Sequence, residues 1–264
     1  LYVSPERLAG EGSDGFLALL ASCGVSFVAV DEAHCISQWG HDFRPEYRQL
    51  ARLREALPGI SLHAYTATAT SQVRRDIAAQ LGLQDPVELV GDFDRPNLLY
   101  RVLPRGVLKR QLLDVLARHR GEAGIIYCVS RREVDTLAAW LTAEGVPALP
   151  YHAGLAPELR QKNQNAFLRE DGVVMVATIA FGMGIDKADI RAVVHLGLPG
   201  SIESWYQEIG RAGRDGQPAD AWMAYGLGDV VQQQRMIDLS EGGEVFKRVL
   251  RNPSVYLGTA YKVT

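Results

Sequence analysis

The stretch Phe27-Val28-Ala29-Val30-Asp31-Glu32-Ala33-His34 places four apolar residues directly before two adjacent carboxylates. A short apolar run that ends in polar residues is typical of a strand buried in a parallel sheet. Such sheets bind ligands at the carboxyl ends of their strands, so Asp31 and Glu32 are predicted to lie where the chemistry takes place. Asp31 would hold Mg²⁺ through water, while Glu32 would polarise an attacking water. The alternative is a strand that ends in a solvated acidic turn.

Short apolar runs of the same kind recur along the chain and alternate with longer amphipathic stretches. This alternation predicts an α/β fold with parallel sheets. The predicted strands are residues 25–30, 61–65, 87–90, 124–128, 173–177, 192–196 and 220–225. The predicted helices are residues 45–57, 108–119, 132–144, 157–169 and 202–210, and a further helix starts at Asp229.

The most polar junction of the chain is Gly91-Asp92-Phe93-Asp94-Arg95-Pro96-Asn97, after which the alternation of strands and helices starts again. We interpret it as the boundary between two α/β lobes, residues 1–97 and 98–226. The first lobe has only about three predicted strands, which is few for a doubly wound sheet, so we expect it to be truncated at its N-terminus. Residues 227–264 begin as a helix and then lose their periodicity.

The composition limits the possible classes of protein. A net charge of −3 and a hydrophobic content of 47% argue against a disordered chain and against a basic surface overall, so a polyanion would bind in a local groove. The three cysteines lie far apart, which argues against a disulfide scaffold and a four-ligand zinc site. The sequence shows no signal segment and no long apolar run, so we expect a reduced, cytoplasmic protein without a membrane partner.

A pair of arginines occurs in Gln207-Glu208-Ile209-Gly210-Arg211-Ala212-Gly213-Arg214-Asp215-Gly216, flanked by glycines that let the backbone approach a ligand closely. If a nucleotide binds to the first lobe, Arg211 and Arg214 of the other lobe can reach its outer phosphates. An arginine finger of this kind contributes ~10³–10⁵ in rate. The alternative is a solvated turn at the end of a helix.

Aromatic side chains are concentrated just after the two carboxylates, since residues 37–44 contain Trp39, His41, Phe43 and Arg44. Flat side chains stack on unpaired bases for ~1–3 kcal/mol each, and Arg44 can add a phosphate contact. Single-stranded nucleic acid is therefore the expected partner of this segment. The alternative is an aromatic cluster that caps the core of the lobe.

Hydroxyl and imidazole side chains also follow predicted strands. Thr66-Ala67-Thr68 places two hydroxyls between the carboxylates and the expected path of the nucleic acid, unless these are ordinary strand-forming threonines. His34 and His152 lack partners at metal-ligand spacing, so we interpret them as hydrogen-bonding residues. We assign His34 to coupling and leave the role of His152 open.

Taken in order, these segments resemble the motifs of the RecQ helicases, a family within superfamily 2. Asp31-Glu32-Ala33-His34 resembles its Walker B motif, and residues 35–47 resemble its aromatic-rich loop. The other similar segments are residues 1–8 (motif Ib), 62–69 (motif III), 93–98 (the interlobe F-x-R-P-N-L), 125–131 (motif IV), 151–155, 177–187 (motif V) and 207–216 (motif VI). The resemblance extends over about residues 1–238.

The resemblance implies an ATP-dependent 3′-to-5′ DNA helicase that unwinds DNA in recombination, repair and replication. It implies two RecA-like P-loop NTPase lobes with parallel sheets, followed by a short helical stub, residues 227–264, that begins a zinc-binding subdomain. The implied cofactors are ATP and Mg²⁺, with Zn²⁺ only in the full-length parent. The implied partners are single-stranded and partly duplex DNA and a single-strand-binding protein, in the bacterial cytoplasm or nucleoid.

The resemblance also implies roles for individual residues. The catalytic residues would be Asp31, Glu32, His34, Arg211 and Arg214, with Asp31 as the Mg²⁺ ligand. The ATP-binding residues would be Gly184, Asp186, Gln207, Arg211 and Arg214. The DNA-binding residues would be Arg7, Trp39, Phe43, Arg44, Ser130, Arg131 and Thr178. The residues that couple the two sites would be Gln38, Thr66 and Thr68.

The sequence lacks features of the family pattern that would bind nucleotide phosphates and zinc. It has no Gly-Lys dipeptide, so the phosphate-binding loop G-x-x-x-x-G-K-[ST] is absent, and no cysteine follows Cys128 to bind zinc. We therefore expect a partial sequence that lacks ATPase activity on its own. Two alternatives stay open: another superfamily 2 translocase that acts on RNA or DNA, and a non-catalytic fragment that binds nucleic acid.

Overall fold

The computed structural model describes residues 1–10, 12–38, 43–91, 94–182 and 185–239. The chain divides into two compact units, Leu1–Asp92 and Phe93–Thr264. Three of the residues singled out in the sequence, Trp39, His41 and Gly184, lie outside the described residues, as do positions 240–264 of the expected zinc-binding subdomain.

The first unit contains a pair of parallel strands with short helices around it. Its elements are α1 (Pro5–Ala9), α2 (Ser13–Ser22), β1 (Phe27–Val30), two 3₁₀ helices (Ala33–Ile36 and Pro45–Ala51), α3 (Arg52–Ala56), β2 (Ser61–Ala64) and α4 (Ser71–Gln80). Strands β1 and β2 pair in parallel, with Phe27 opposite Ser61 and Val30 opposite Ala64. The core packs Ile36 and Leu81, both 0% exposed, against residues of β1 and α4.

Two predictions for this unit are wrong. The expected strand at residues 87–90 pairs with no strand among the described residues, and Val87 and Leu89 are 85% and 93% exposed. An apolar run without a pairing partner and a face to bury it does not form a strand. The expected α-helix over residues 45–57 is a 3₁₀ helix followed by the short α3, although its predicted apolar face, which includes Tyr47 and Leu50, is buried.

The second unit is an open parallel sheet with helices between its strands. Its elements are β3 (Leu98–Pro104), α5 (Leu108–Arg118), β4 (Ala123–Cys128), α6 (Arg131–Ala143), β5 (Ala148–Tyr151), α7 (Pro157–Arg169), β6 (Val174–Ala177), β7 (Ile190–Leu196), α8 (Ile202–Ile209), β8 (Ala219–Tyr225) and α9 (Leu227–Leu239). The six strands lie in the order β3-β8-β7-β4-β6-β5, and every pairing is parallel.

Both faces of this sheet are buried, and successive residues of β4 show how. Ile125 belongs to a core cluster with Phe167 of α7, while Ile126 belongs to a second cluster with Leu112 of α5 and Trp222 of β8. Side chains alternate between the two faces along a strand, so helices are needed on each side to exclude water. The prediction of an α/β fold with parallel sheets is confirmed.

The sequence analysis missed β3 and β5, the two edge strands of this sheet. Neither has a continuous apolar run, because Arg101 interrupts β3 and Pro150 interrupts β5. In β3, only Leu98 is buried. Proline is tolerated in a sheet mainly at its edges, where one side of the strand needs no partner. Within the part of the chain that the structure describes, no helix is both long enough and apolar enough to span a membrane.

Candidate functional site

The carboxyl end of β1 turns sharply at the two acidic residues. The backbone N–H of Tyr65 donates to Val30 O (2.8 Å) and that of Ala33 donates to Tyr65 O (2.9 Å), so the pairing with the neighbouring strand continues past both strand ends. Between them, Glu32 has φ = 48°, and its N–H donates to Asp31 Oδ1 (2.8 Å). A left-handed backbone at a non-glycine residue costs on the order of 1 kcal/mol and is often found at functional sites.

His34 connects Glu32 to the threonine segment that follows β2. Its side chain is 2% exposed, and Nδ1 lies 3.4 Å from Glu32 Oε2 and 2.9 Å from Thr66 Oγ1. Thr66 Oγ1 in turn accepts from the N–H of Thr68 (3.3 Å), and the buried Thr68 Oγ1 has no partner among the described residues. The fold therefore brings Glu32, His34 and Thr66 together, although they come from two separate segments.

The described parts of the aromatic-rich segment, residues 35–38 and 43–47, are joined next to this site. Arg44 N–H donates to Cys35 O (2.9 Å) and so connects one part to the other. The half-buried Phe43 packs under the guanidinium of Arg48, 5.0 Å from its ring centre, and Gln38 is exposed. Arg7 in α1 is also exposed, with its guanidinium 5.2 Å from the ring centre of Phe16.

In the second unit, Ser130 follows β4 and caps α6. Its Oγ accepts from the N–H of Glu133 (3.2 Å), and its own N–H donates to Glu133 Oε2 (2.9 Å). This reciprocal capping box stabilises the start of the helix. Thr178 follows the neighbouring strand β6, and its Oγ1 accepts from the N–H of Ala180 (3.4 Å). The hydroxyls of Ser130 and Thr178 thus lie at the carboxyl ends of adjacent strands and also shape their own turns.

His152, whose role the sequence leaves open, follows β5 and makes two hydrogen bonds. His152 Nδ1 accepts from the N–H of Gly154 (3.1 Å), so the proton is on Nε2, which donates to Asp135 Oδ1 (3.0 Å). Among the described residues, no group of three or more possible ligands could hold a metal ion. A Cβ on Gly154 would lie 3.2 Å from Arg131 Nη1, so the side chain of Arg131 packs against this turn. His152 holds the turn in place through its hydrogen bond with Gly154.

The two arginines after α8 contact the segment that follows β6. Arg211 Nη1 donates to Gly182 O (2.6 Å), and its buried Nε has no partner within the described ranges. Arg214 Nη1 donates to Ile185 O (3.1 Å) and to the 94%-exposed carboxylate of Asp186 (3.3 Å). The fold thus brings Arg211, Arg214 and Asp186 together, while Gln207 is half-buried on α8.

A buried polar group in the same unit was missed by the sequence analysis. His195 Nε2 donates to Glu208 Oε2 (2.6 Å), and both side chains are nearly inaccessible. The ring of Tyr127 stacks on His195 at 5.1 Å, and its hydroxyl donates to Phe181 O (2.9 Å). The available signal was a histidine in the otherwise apolar predicted strand 192–196 and an acid three residues before Arg211.

Burial raises the pKa of Tyr127 to about 12 from 10.0, against the opposing effect of the nearby Arg211 guanidinium. The native chain therefore keeps this proton at a pH where the unfolded chain releases it. The contribution of the protonated Tyr127 to the free energy of unfolding is fully present below pH 10 and is lost as the pH rises through 12. At pH 11 the expected loss is about 1 kcal/mol of the free energy of unfolding.

Urea unfolding at pH 8, 10 and 11 tests this expectation by comparing the chain with its Tyr127→Phe variant. The variant should lose less stability between pH 8 and pH 11, although it is less stable at pH 8. Tyr65→Phe, at a 55%-exposed position, is the matched control and should follow the parent curve. Parallel curves for the parent chain and Tyr127→Phe would contradict the expectation. The buried Cys128, whose pKa is raised by burial to about 12, contributes equally to all three proteins.

Comparison with known proteins matches the chain to helicases. The helicase conserved C-terminal domain family matches residues 108–216. The chain is 51% identical over 225 residues to "ATP-dependent DNA helicase RecQ" of Pasteurella multocida, which covers 85% of this chain and 35% of that protein. It is 44% identical over 252 residues to the protein of that name from Bacillus subtilis, covering 95% and 42%. The chain thus spans well under half the length of these curated relatives.

Two solved structures have a similar fold. The structure of Mss116p bound to single-stranded RNA and AMP-PNP has a TM-score of 0.62 at 17% identity, over 89% of this chain and 49% of that one. Helicase Lhr of Mycobacterium smegmatis, bound to single-stranded DNA and AMP-PNP, has a TM-score of 0.60 at 19% identity, over 88% and 34%. At these identities the likeness concerns the RecA-like fold alone.

Proposed function

This chain belongs to the RecQ family of helicases, and from that premise we propose that it supplies motor motifs of an ATP-dependent DNA helicase that moves 3′ to 5′. The observation that carries the proposal is the contact of His34 with both Glu32 and Thr66. It gives the carboxylate that would act on water a direct connection to a segment expected to sense DNA. The names of the relatives support both ATP and DNA as substrates.

We further propose a division into residues 1–97 as part of the first RecA-like lobe, 98–226 as the second lobe, and 227–264 as the start of a zinc-binding subdomain. Zinc would bind only in a longer parent protein, because no cysteine follows Cys128. The protein would act in the bacterial cytoplasm, and a single-strand-binding protein would be a further partner.

The residues after β1 fit a magnesium nucleotide. Asp31 is exposed at the strand end, and carboxylate oxygen is the ligand that Mg²⁺ prefers, usually with several waters retained. When bound, Mg²⁺ neutralises charge that develops on the phosphate oxygens. Asp31 would hold the ion through water, and Glu32 would orient and polarise the attacking water. His34, buried against Glu32 and Thr66, would fix the direction of the Glu32 carboxylate.

The arginine pair would supply positive charge from the second lobe. Arg211 and Arg214 would contact the outer phosphates, with Gln207, Asp186 and Gly184 completing the nucleotide site. Arg214 is shared between Ile185 O and the exposed Asp186 carboxylate. If Arg214 exchanged its contact with Asp186 for a phosphate, the protein would lose little stability, because an exposed ion pair contributes only ~0–1 kcal/mol to the free energy of unfolding. Arg211, held by Gly182 O, would move less.

The proposed DNA contacts would position a single strand without reading its sequence. Arg7, Arg44 and Arg131 would contact phosphates, while Trp39 and Phe43 would stack on bases. Ser130 and Thr178 would donate to the sugar-phosphate backbone from the carboxyl ends of β4 and β6. Gln38, Thr66 and Thr68 would transmit the presence of DNA to Glu32 through His34. The buried, unpartnered Thr68 hydroxyl gives this connection one free hydrogen-bonding group among the described residues.

A chimera provides the test, because the sequence contains no Gly-Lys dipeptide for a phosphate-binding loop. In the chimera, this chain replaces the matching 225-residue segment of the Pasteurella multocida relative. We expect its ATP hydrolysis to rise at least about tenfold with single-stranded DNA and to change little with RNA of the same length. Stimulation by RNA alone would favour another superfamily 2 translocase. A folded chimera that binds DNA without hydrolysing ATP would favour a non-catalytic role.

A further inference from the structure

Two side chains of the polar junction bind the loop that carries the arginine pair. Arg95 Nη2 donates to the carbonyls of Ala212 (3.2 Å) and Gly213 (2.9 Å). Asn97 Nδ2 donates to the carbonyls of Gly213 (2.8 Å) and Gln217 (2.9 Å). Four hydrogen bonds therefore connect two side chains at the start of the second unit to main-chain atoms more than 110 residues further along the chain.

The loop is built to fit against Asn97. Gly213 has φ = +54°, and a Cβ at this position would lie 2.5 Å from Asn97 Nδ2 and 2.8 Å from Gln217 O. Only glycine combines this backbone conformation with so close an approach. The Gly213 carbonyl accepts three hydrogen bonds, since the N–H of Gly216 also donates to it (3.0 Å). Asn97 is thus in direct contact with the backbone at the centre of the loop.

These contacts lie between the two arginines. Ala212 and Gly213 are the only residues that separate Arg211 from Arg214, and their carbonyls are the atoms that Arg95 and Asn97 bind. On the opposite side, Gly213 N–H donates to Ile190 O at the start of β7 (2.9 Å). Held from both sides, the backbone between the arginines has little freedom to shift. The direction of both guanidinium groups depends on that backbone.

We propose that Arg95 and Asn97 are positioning residues for Arg211 and Arg214. The inference rests on the proposed function, because it gives these contacts a purpose only if the arginines act on a nucleotide. A misplacement of about 1 Å at a catalytic group can cost about 10²-fold in rate. Loss of the Asn97 donor would therefore lower turnover without removing any group that touches ATP or DNA.

The Asn97→Asp variant tests the proposal, since it keeps the shape of the side chain but removes the N–H donor. In the chimera we expect kcat to fall about 10- to 100-fold, while KM for ATP and the half-saturating DNA concentration change less than about threefold. In an Arg211→Ala/Arg214→Ala background, the same substitution should lower kcat less than about twofold further, because its effect acts through those two arginines. Asn165→Asp is the matched control and should leave kcat unchanged. Asn165 is half-buried on α7, and its side-chain oxygen accepts from Gln161 Nε2 (3.0 Å).

A second measurement examines the contacts of Arg95 and Asn97 with the arginine loop without any nucleotide. In this chain alone, Asn97→Asp should speed amide hydrogen exchange in residues 211–216 at least about tenfold and leave β4 and β7 unchanged. A kcat within twofold of the parent, or unchanged exchange in residues 211–216, would overturn the proposal. An equal loss in the parent and Arg211→Ala/Arg214→Ala backgrounds would also overturn it, by showing a general structural role. A parent chimera without ATPase activity, combined with faster exchange in the variant, would instead refute the proposed function.

Discussion

Replacing Glu32 by Gln in the chimera is expected to lower DNA-stimulated ATP hydrolysis by ~10²–10⁴-fold, the usual contribution of a general base. The amide has nearly the shape of the carboxylate but cannot accept the proton of the attacking water. Because His34 Nδ1 lies 3.4 Å from Glu32 Oε2, the amide can still contact the imidazole. The loss should therefore appear in kcat, measured by phosphate release at saturating ATP and DNA.

Binding measurements on the same variant separate catalysis from folding. The affinity of Glu32→Gln for single-stranded DNA, measured by fluorescence anisotropy, should stay within about threefold of the parent chimera. Glu170→Gln, at an exposed acid after α7, is the matched control and should hydrolyse ATP at the parent rate. A Glu32→Gln rate within about threefold of the parent would remove this residue from the proposed mechanism.

The second large effect is expected for Arg214→Ala, which should lower kcat by ~10³–10⁵-fold. Its guanidinium contacts Ile185 O and an exposed carboxylate, so removal should cost little stability. Arg214→Lys should recover little of the lost rate, because an ammonium group cannot make the paired contacts of a guanidinium. The thermal midpoint should stay close to that of the parent.

Arg169→Ala provides the control for loss of a positive charge, since Arg169 is exposed at the end of α7. It should leave ATP hydrolysis unchanged at moderate salt. If Arg214→Ala and Arg169→Ala were equally active, Arg214 would be a turn residue at the end of a helix, the alternative that the sequence left open. If Arg214→Lys recovered full activity, charge alone would be sufficient there.

The central strands of the second unit could be predicted from sequence because they are buried on both faces. Strands β4 and β6 are continuous apolar runs, and β7 is apolar apart from Arg191 and His195. Such a pattern can be recognised even when either end is misplaced by a residue. The edge strands β3 and β5 carry exposed or proline residues and gave no such pattern. Residues 87–90 have the composition of a strand but are exposed and pair with no strand among the described residues. Composition alone does not show whether a pairing partner is present.

The candidate site could be predicted in part for a related reason. Asp31, Glu32 and Thr66 all follow strands, and parallel strands end at one edge of a sheet. That these three residues lie close together can therefore be predicted from their positions just after strands. The contacts of Arg95 with Ala212, 117 positions away, and of His195 with Glu208 depend on how loops and helices pack. No local pattern encodes such packing, so these residues became visible only in the folded chain.

Strand separation by the chimera tests whether the motifs of this chain drive the unwinding of DNA. The substrates are a DNA duplex with a 3′ single-stranded tail, the same duplex with a 5′ tail, and an RNA duplex with a 3′ tail. With ATP and Mg²⁺, we predict separation of the 3′-tailed DNA duplex, little separation of the other two, and none when Glu32 is replaced by Gln. Separation of the RNA duplex alone would show that the chain does not support DNA unwinding, and separation of DNA at an unchanged rate by Glu32→Gln would show that Glu32 does not drive it.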